Sequence, residues 1–150
     1  MPVLTMLIWG VAIAVVLGIG YGAVSWMRKR DREDVLKEVK QQFDGVPILA
    51  LAPDACFNGL DRSWDSQWRG CGVLILTGDL LYFRSWQRTL DLTIPLSRME
   101  EVGVDLDLEK KGQNQSRFQV SYRGMDDQVR MATWLVSQPQ QWVNLVHRML

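Results

Sequence analysis

The sequence predicts a mainly β fold with helices. It begins with an N-terminal transmembrane helix, continues as an antiparallel barrel or sandwich of about seven strands, and ends in an amphipathic helix that caps the strands. Three observations support this. Residues 1–27 contain no charged side chain, residues 48–135 alternate apolar and polar residues in short runs, and residues 137–150 return to helical spacing. We therefore expect a transmembrane helix at 1–27, a juxtamembrane helix or linker at 28–45, and one domain at 46–150.

The N-terminal apolar run, residues 3–26, has the length of a membrane span, since a bilayer core needs about 20 apolar residues in a helix. A cleavable signal peptide is the first alternative. It would carry a basic segment before the apolar run, which is missing here, although residues 20–22 resemble a weak cleavage site. A buried core helix is the second alternative, and it would need a large surrounding core. A single uncleaved span is the favoured interpretation.

Basic residues give the predicted span an orientation. Arg28, Lys29, Arg30 and Arg32 follow it, and no Lys or Arg precedes it. Basic residues flanking a span favour the cytoplasmic side. The sequence therefore predicts a single-pass membrane protein with its N-terminus outside and residues 28–150 in the cytoplasm.

Small residues recur at steps of four along the predicted span, at Gly10, Ala14, Gly18 and Gly22. Such a face allows a second helix to approach closely. The pattern leaves open whether that helix belongs to a second copy, which would give a homodimer through the span, or to another protein.

Residues 28–43 predict a helix of strong helix formers. Val35, Leu36, Val39 and Phe43 form one apolar stripe, which we expect to pack on the domain rather than to form a coiled coil. Gly and Pro within residues 44–47 end the helix.

The domain begins with a short apolar run at 48–51, while residues 53–70 mix turn formers with aromatics and remain unassigned. Residues 73–77 and 80–86, joined by Gly78-Asp79, predict a β-hairpin. Further alternating runs lie at 90–96, 102–109, 118–122 and 129–135. Pro95 lacks a backbone donor and indicates a sheet edge or a strand end.

A C-terminal helix follows, with Ser137 expected as N-cap, Pro139 in the first turn and Gln140 completing a capping box. One face of this helix is apolar and is expected to plug an open end of the strands. It carries Trp142, Leu145, Val146 and Met149.

Residues 72–83 resemble the G-x-L-x-L-T…L-x-F hairpin of GRAM and bacterial pleckstrin-homology (PH)-like domains, and residues 92–102 resemble their I-P-L-x-x-I-x-x-V strand. The resemblance covers roughly residues 47–150 and extends to uncharacterised bacterial single-span membrane proteins. It implies binding of phosphoinositides, peptides or protein surfaces. Lipid-binding members carry Lys and Arg in the first hairpin loop, whereas the Gly78-Asp79 turn is acidic, so a protein partner is favoured over a lipid.

Composition argues against several other functions. The chain has 17 basic and 17 acidic side chains, so no basic surplus indicates nucleic-acid binding. The sole histidine, His147, is expected to be a surface or capping residue. The sequence contains no nucleophile motif and no phosphate loop. We therefore expect no enzyme activity, no metal and no cofactor.

The two cysteines, Cys56 and Cys71, are 15 residues apart, which is not a metal-site spacing. In the predicted cytoplasmic location we expect reduced, buried thiols. Adjacent strands would, however, allow the two side chains to face each other.

One candidate partner-binding surface combines aromatic and arginine side chains, which are enriched in interface cores. It consists of Phe57, Arg62, Trp64, Trp68 and Arg69. The alternative is that these rings pack the interior of the domain.

The second candidate surface is a basic patch made of Arg84, Arg117, Arg123 and Arg130, which fall on outward strand faces. If their strands adjoin, these arginines would meet an acidic partner or lipid headgroups. The alternative is that they are scattered over the surface.

The function that the sequence favours is a membrane-anchored cytoplasmic docking or scaffold module that binds a protein or, less favoured, a lipid. The alternative is an accessory or assembly subunit of a larger membrane protein complex, held through the small-residue face of the span.

Overall fold

The computed structural model describes the backbone of residues 2–60, 70–107 and 115–150, and the side chains of residues 21–59, 70–105 and 116–150. The chain forms two compact units, Met1–Asp34 and Val35–Leu150. The first unit is helical, and the second contains the end of the same helix, a seven-stranded sheet and a C-terminal helix.

Helix α1 spans Pro2–Gln42 without interruption. Among the residues that the structure describes, no helix is long and apolar enough to cross a membrane. This finding overturns the predicted transmembrane helix at 1–27 and, with it, the predicted single-pass topology and cytoplasmic localisation. Of the α1 side chains that the structure describes, at 21–42, ten are charged, and each would be costly to place in hydrocarbon.

The sheet contains seven strands, in agreement with the number expected from the sequence. They are β1 Ile48–Leu60, β2 Gly70–Thr77, β3 Leu80–Ser85, β4 Asp91–Pro95, β5 Met99–Asp107, β6 Gln115–Arg123 and β7 Val129–Leu135. Their order in the sheet is β4-β3-β2-β1-β7-β6-β5, and every neighbouring pair is antiparallel. A short 3-10 helix, Leu96–Arg98, connects β4 to β5.

Two details of the predicted strands are confirmed. The β2–β3 hairpin turns at Gly78-Asp79, where the Thr77 hydroxyl accepts hydrogen bonds from the backbone N–H groups of Asp79 and Leu80. Pro95 is the last residue of β4, which lies at one edge of the sheet. Both follow from local chemistry, namely a tight turn and a missing backbone donor.

The main core is aromatic and lies on the inner face of the sheet. The Trp134 ring lies 5.5 Å from that of Phe57 and 5.9 Å from that of Phe118, and the Phe118 ring lies 5.7 Å from that of Trp142. Trp142 belongs to helix α2, Pro139–His147, which packs on β5 and β6. The C-terminal helix therefore buries its apolar face against the strands, as its spacing predicts.

The predicted capping box of α2 is wrong. The residue before the helix is Gln138, in a left-handed conformation with φ of 58°, and it makes no side-chain capping bond. Because Gln138 occupies the N-cap position, Ser137 lies one residue too early to cap the helix. Pro139 does stand in the first turn, where its missing N–H costs nothing.

The expectation of reduced thiols is also wrong, because Cys56 and Cys71 form a disulfide. The register of β1 and β2 places these two residues directly opposite each other. Cross-strand neighbours have close Cβ atoms, so the pairing follows from strand register.

Candidate functional site

The stripe on the end of α1 packs on the outer face of the sheet, as predicted. Val35 and Val39 are fully buried, and they form a second apolar cluster with Val73, Ile75 and Tyr82. All of these residues belong to the second unit. The last turns of α1 therefore cover β2 and β3 on the side opposite to the aromatic core.

Polar contacts surround this second cluster. The Glu38 carboxylate lies 3.3 Å from the Arg84 guanidinium and 2.6 Å from that of Arg88. The Tyr82 hydroxyl is 3.1 Å from an Asp91 carboxylate oxygen, to which it donates. Burial and the Asp91 charge both disfavour the phenolate, and together they raise the pKa of Tyr82 to about 12. The Glu38 contacts hold the end of α1 on the sheet, whereas the hydrogen bond from Tyr82 to Asp91 joins β3 to β4.

The four arginines of the predicted basic patch lie in different places. Arg84 belongs to β3, whereas the other three belong to β6 and β7. Arg123 and Arg130 lie close together at the β6–β7 hairpin, while Arg117 lies opposite Asp105 towards the other end of β6. Arg123 pairs with Val129 and Arg130 pairs with Tyr122, so these two side chains lie on opposite faces of the sheet and do not form one patch.

These two arginines contact carboxylates. The Arg123 Nε donates to Glu100 over 2.9 Å, and Arg130 donates to Asp126 over 2.7 Å. The hydrogen bond from Arg130 lowers the pKa of the Asp126 carboxyl. Exposed pairs of this kind contribute little stability, and each carboxylate offsets the charge of its arginine.

The predicted aromatic surface is only partly described. Phe57 lies in the core, 2% exposed, with its ring stacked 5.6 Å from that of Phe83. For Phe57, the core-packing alternative therefore holds. Arg62, Trp64 and Trp68, together with Arg69, lie outside the described residues.

The small-residue face belongs to the first unit. Gly10, Ala14 and Gly18 lie in the part of α1 whose side chains are not described. At Gly22, an added Cβ would meet no atom within 4 Å, so this glycine faces open space.

An exposed apolar surface lies at the start of β1, outside both candidate surfaces predicted from the sequence. Its side chains are 42% exposed at Val46, 37% at Ile48, 46% at Leu49 and 36% at Leu51. We call these four residues the β1 strip. Residues 45–53 carry no charge, and Pro47 and Pro53 lie at either side of the central segment. This run of neutral residues between two prolines is the feature of the sequence that could have indicated the exposed surface.

The β1 strip lies on a strand that is paired on one side. Residues Ile48 to Ala52 pair with Leu74 to Thr77 of β2. On its other side, β1 pairs with β7 only from Cys56 onwards. Within the described ranges, no strand therefore pairs with Ile48–Ala52 on the side away from β2.

A fixed turn leads into the strip. The Val46 N–H donates to the Phe43 carbonyl over 3.0 Å, and the Asp44 N–H donates to the Gln41 carbonyl over 3.2 Å. Gly45 adopts a φ of 78°, a conformation that glycine reaches without steric cost. Because the end of α1 is packed on the sheet, this turn holds the first residues of β1 in place.

No three His, Cys, Asp or Glu side chains lie close enough to hold a metal ion within the part of the chain that the structure describes. His147 is exposed at the last position of α2.

Comparison with known proteins places the fold beside two solved structures. No protein-family model matches the chain. No curated protein matches it either. The C-terminal domain of an unknown protein from Leishmania infantum is similar at 14% identity, with 78% of this chain and 95% of that chain covered and a TM-score of 0.54. The hSac2 domain from human phosphoinositide phosphatase Sac2 is similar at 11% identity, with 78% and 79% covered and a TM-score of 0.45.

The first of these similarities concerns the fold alone, and the second is too weak to support an argument about this chain. The seven-stranded sheet followed by a C-terminal helix is compatible with a PH-like domain. Membership of the GRAM or PH-like group stays a prediction from the sequence motifs.

Proposed function

We propose that this protein is a docking module whose PH-like domain binds a partner protein. The β1 strip is the observation that carries the proposal, because it places four exposed apolar side chains on one short, fixed stretch of backbone. Exposed apolar surface that is contiguous is a recurring mark of protein–protein contact.

The charges near the strip favour a protein over a lipid headgroup. Residues 45–53 contain no Lys or Arg, whereas headgroup recognition relies on clustered basic side chains. Of the arginines in the predicted basic patch, Arg84, Arg123 and Arg130 each contact a carboxylate. An uncharged apolar strip is complementary to an apolar protein surface.

Site-specific crosslinking tests this proposal. A photo-reactive phenylalanine analogue replaces Leu49 in the full chain, expressed in cells of the organism that encodes it. A matched chain carries the same analogue at Met125, which is 94% exposed in the β6–β7 turn. We expect one discrete protein adduct from position 49 and none of that mass from position 125.

The same adduct from both positions would show non-specific binding to the protein surface, and no adduct from position 49 would show that the β1 strip binds no protein in the cell. Either result overturns the proposed docking function at this surface.

A further inference from the structure

We infer that the β1 strip takes its partner by strand addition: an extended, uncharged apolar segment of another protein pairs with Ile48–Ala52 and continues the sheet there. This inference rests on the proposed docking function and specifies how the partner is bound. It concerns backbone groups as well as the four exposed side chains.

Backbone geometry supplies the first argument. In an antiparallel ladder, a strand directs its N–H and C=O groups alternately to its two sides. The register with β2 is regular from Ala50 to Ala52, after a shift between Ile48 and Ala50, so alternate residues there direct these groups away from β2, on the side where no described strand pairs with them. Such an edge is a template for another strand.

The edge lacks charged side chains, one of the features that usually prevent pairing, and its one irregularity is a shift in register with β2 between Ile48 and Ala50. Edge strands are commonly protected by charged side chains, especially Lys, and Ile48–Ala52 has none. Pro53 and the register shift between Ala52 and Ala55 mark the end of the free segment, and Pro47 marks its beginning. The structure therefore offers room for a partner strand of about five residues, a usual strand length.

The chemistry of the two faces indicates what that partner carries. Leu49 and Leu51 are exposed on the outer face, while Ala50 and Ala52 pack against the main core on the inner face. Side chains of a paired strand lie beside those of its neighbour on each face. A partner segment with apolar residues and no charge therefore matches both faces, whereas a charged segment would lose its hydration against them.

The size of the strip favours a short segment over a second copy of the domain. A standard interface buries roughly 800 Å² on each partner. Four aliphatic side chains, each less than half exposed, supply only part of that area. A short strand gains main-chain hydrogen bonds in addition to apolar contacts, so it needs less side-chain area.

A displayed library of short random peptides tests the inference with the full chain as bait. We expect enrichment of uncharged segments rich in β-branched and apolar residues. Leu49→Lys should weaken the best peptide about tenfold or more, because a charge on the edge opposes pairing. The matched control, Val129→Lys, changes an exposed apolar residue on β7 and should leave binding unchanged.

Two further measurements isolate the backbone contribution. Two versions of the peptide are N-methylated, one at the odd-numbered amides and one at the even-numbered amides, which removes ladder donors with little change in side chains. Only one of these two sets of amides faces the edge, so only that version should bind about tenfold or more weakly. Hydrogen exchange on the unmodified chain should slow at Ile48–Ala52 when the peptide is added. This second measurement needs no variant, so it does not depend on whether Leu49→Lys folds.

Failure to enrich peptides, equal binding by both N-methylated peptides, or protection confined to other strands overturns strand addition. If crosslinking at position 49 succeeds while these tests fail, the docking function stands and the inference falls. If crosslinking fails, the docking function falls, and the exchange measurement decides separately whether the edge accepts a strand.

Discussion

Replacement of Gly72 by alanine should destabilise the domain strongly, because β2 and β3 approach each other too closely here for any side chain. A Cβ at Gly72 would overlap the Arg84 carbonyl oxygen and would lie 2.7 Å from the Ser85 Cα. Both atoms belong to the backbone of β3, which pairs with Gly72 in the ladder. Neither can move aside as a flexible side chain would, so the two strands must separate locally.

The expected cost is about 3 kcal/mol, at the upper end of the usual range for overpacking a core, because backbone must shift. For a domain of this size that corresponds to a decrease in Tm of about 10 °C. Urea unfolding of the full chain, followed by tryptophan fluorescence, measures the free energy of unfolding and its dependence on urea.

Gly103→Ala is the matched control for this prediction. Gly103 also lies inside a strand, β5, but an added Cβ there would meet no atom within 4 Å. It should change the free energy of unfolding by no more than about 0.5 kcal/mol. If the two alanine variants unfold at the same urea concentration, the close approach of β2 and β3 is refuted.

Three further predictions concern the contacts around the sheet. The Tyr82 phenol should titrate near pH 12 instead of 10, and tyrosinate absorbance compared with Tyr82→Phe measures this midpoint; a midpoint near 10 would contradict the burial. Because the folded pKa is raised, the stability that Tyr82 contributes should fall as pH rises through that window, which urea unfolding of the two proteins measures. Reducing the Cys56–Cys71 disulfide should cost about 3 kcal/mol for a loop of this length, and thiol counting in denaturant before and after reduction tests whether the bond is present. Val39→Ala should cost about 2 kcal/mol by losing two buried methyl groups, whereas Lys40→Ala on the exposed face should be near neutral; equal urea midpoints would show that α1 does not pack on the sheet.

Local sequence signals predicted the elements that depend on local chemistry. The Gly78-Asp79 turn, the strand end at Pro95 and the apolar face of α2 all follow from turn geometry, a missing donor and helical spacing.

Features that depend on more distant segments or on backbone conformation were predicted less well. The capping box failed because Gln138 enters a left-handed conformation, and the sequence pattern alone does not show which residue does so. Arg84 was grouped with three other arginines on the assumption that their strands adjoin, yet the strand order places β3 three positions from β7.

The sequence by itself determined that this chain makes short antiparallel strands between two helical regions, because strand and helix periods are properties of neighbouring residues. Only the tertiary structure decided which strands pair. That pairing brings Cys56 opposite Cys71 and leaves Ile48–Ala52 with β2 on one side alone among the described strands. The open edge arises because β7 pairs with β1 only from Cys56 onwards, so the candidate docking surface could be recognised only after the chain had folded.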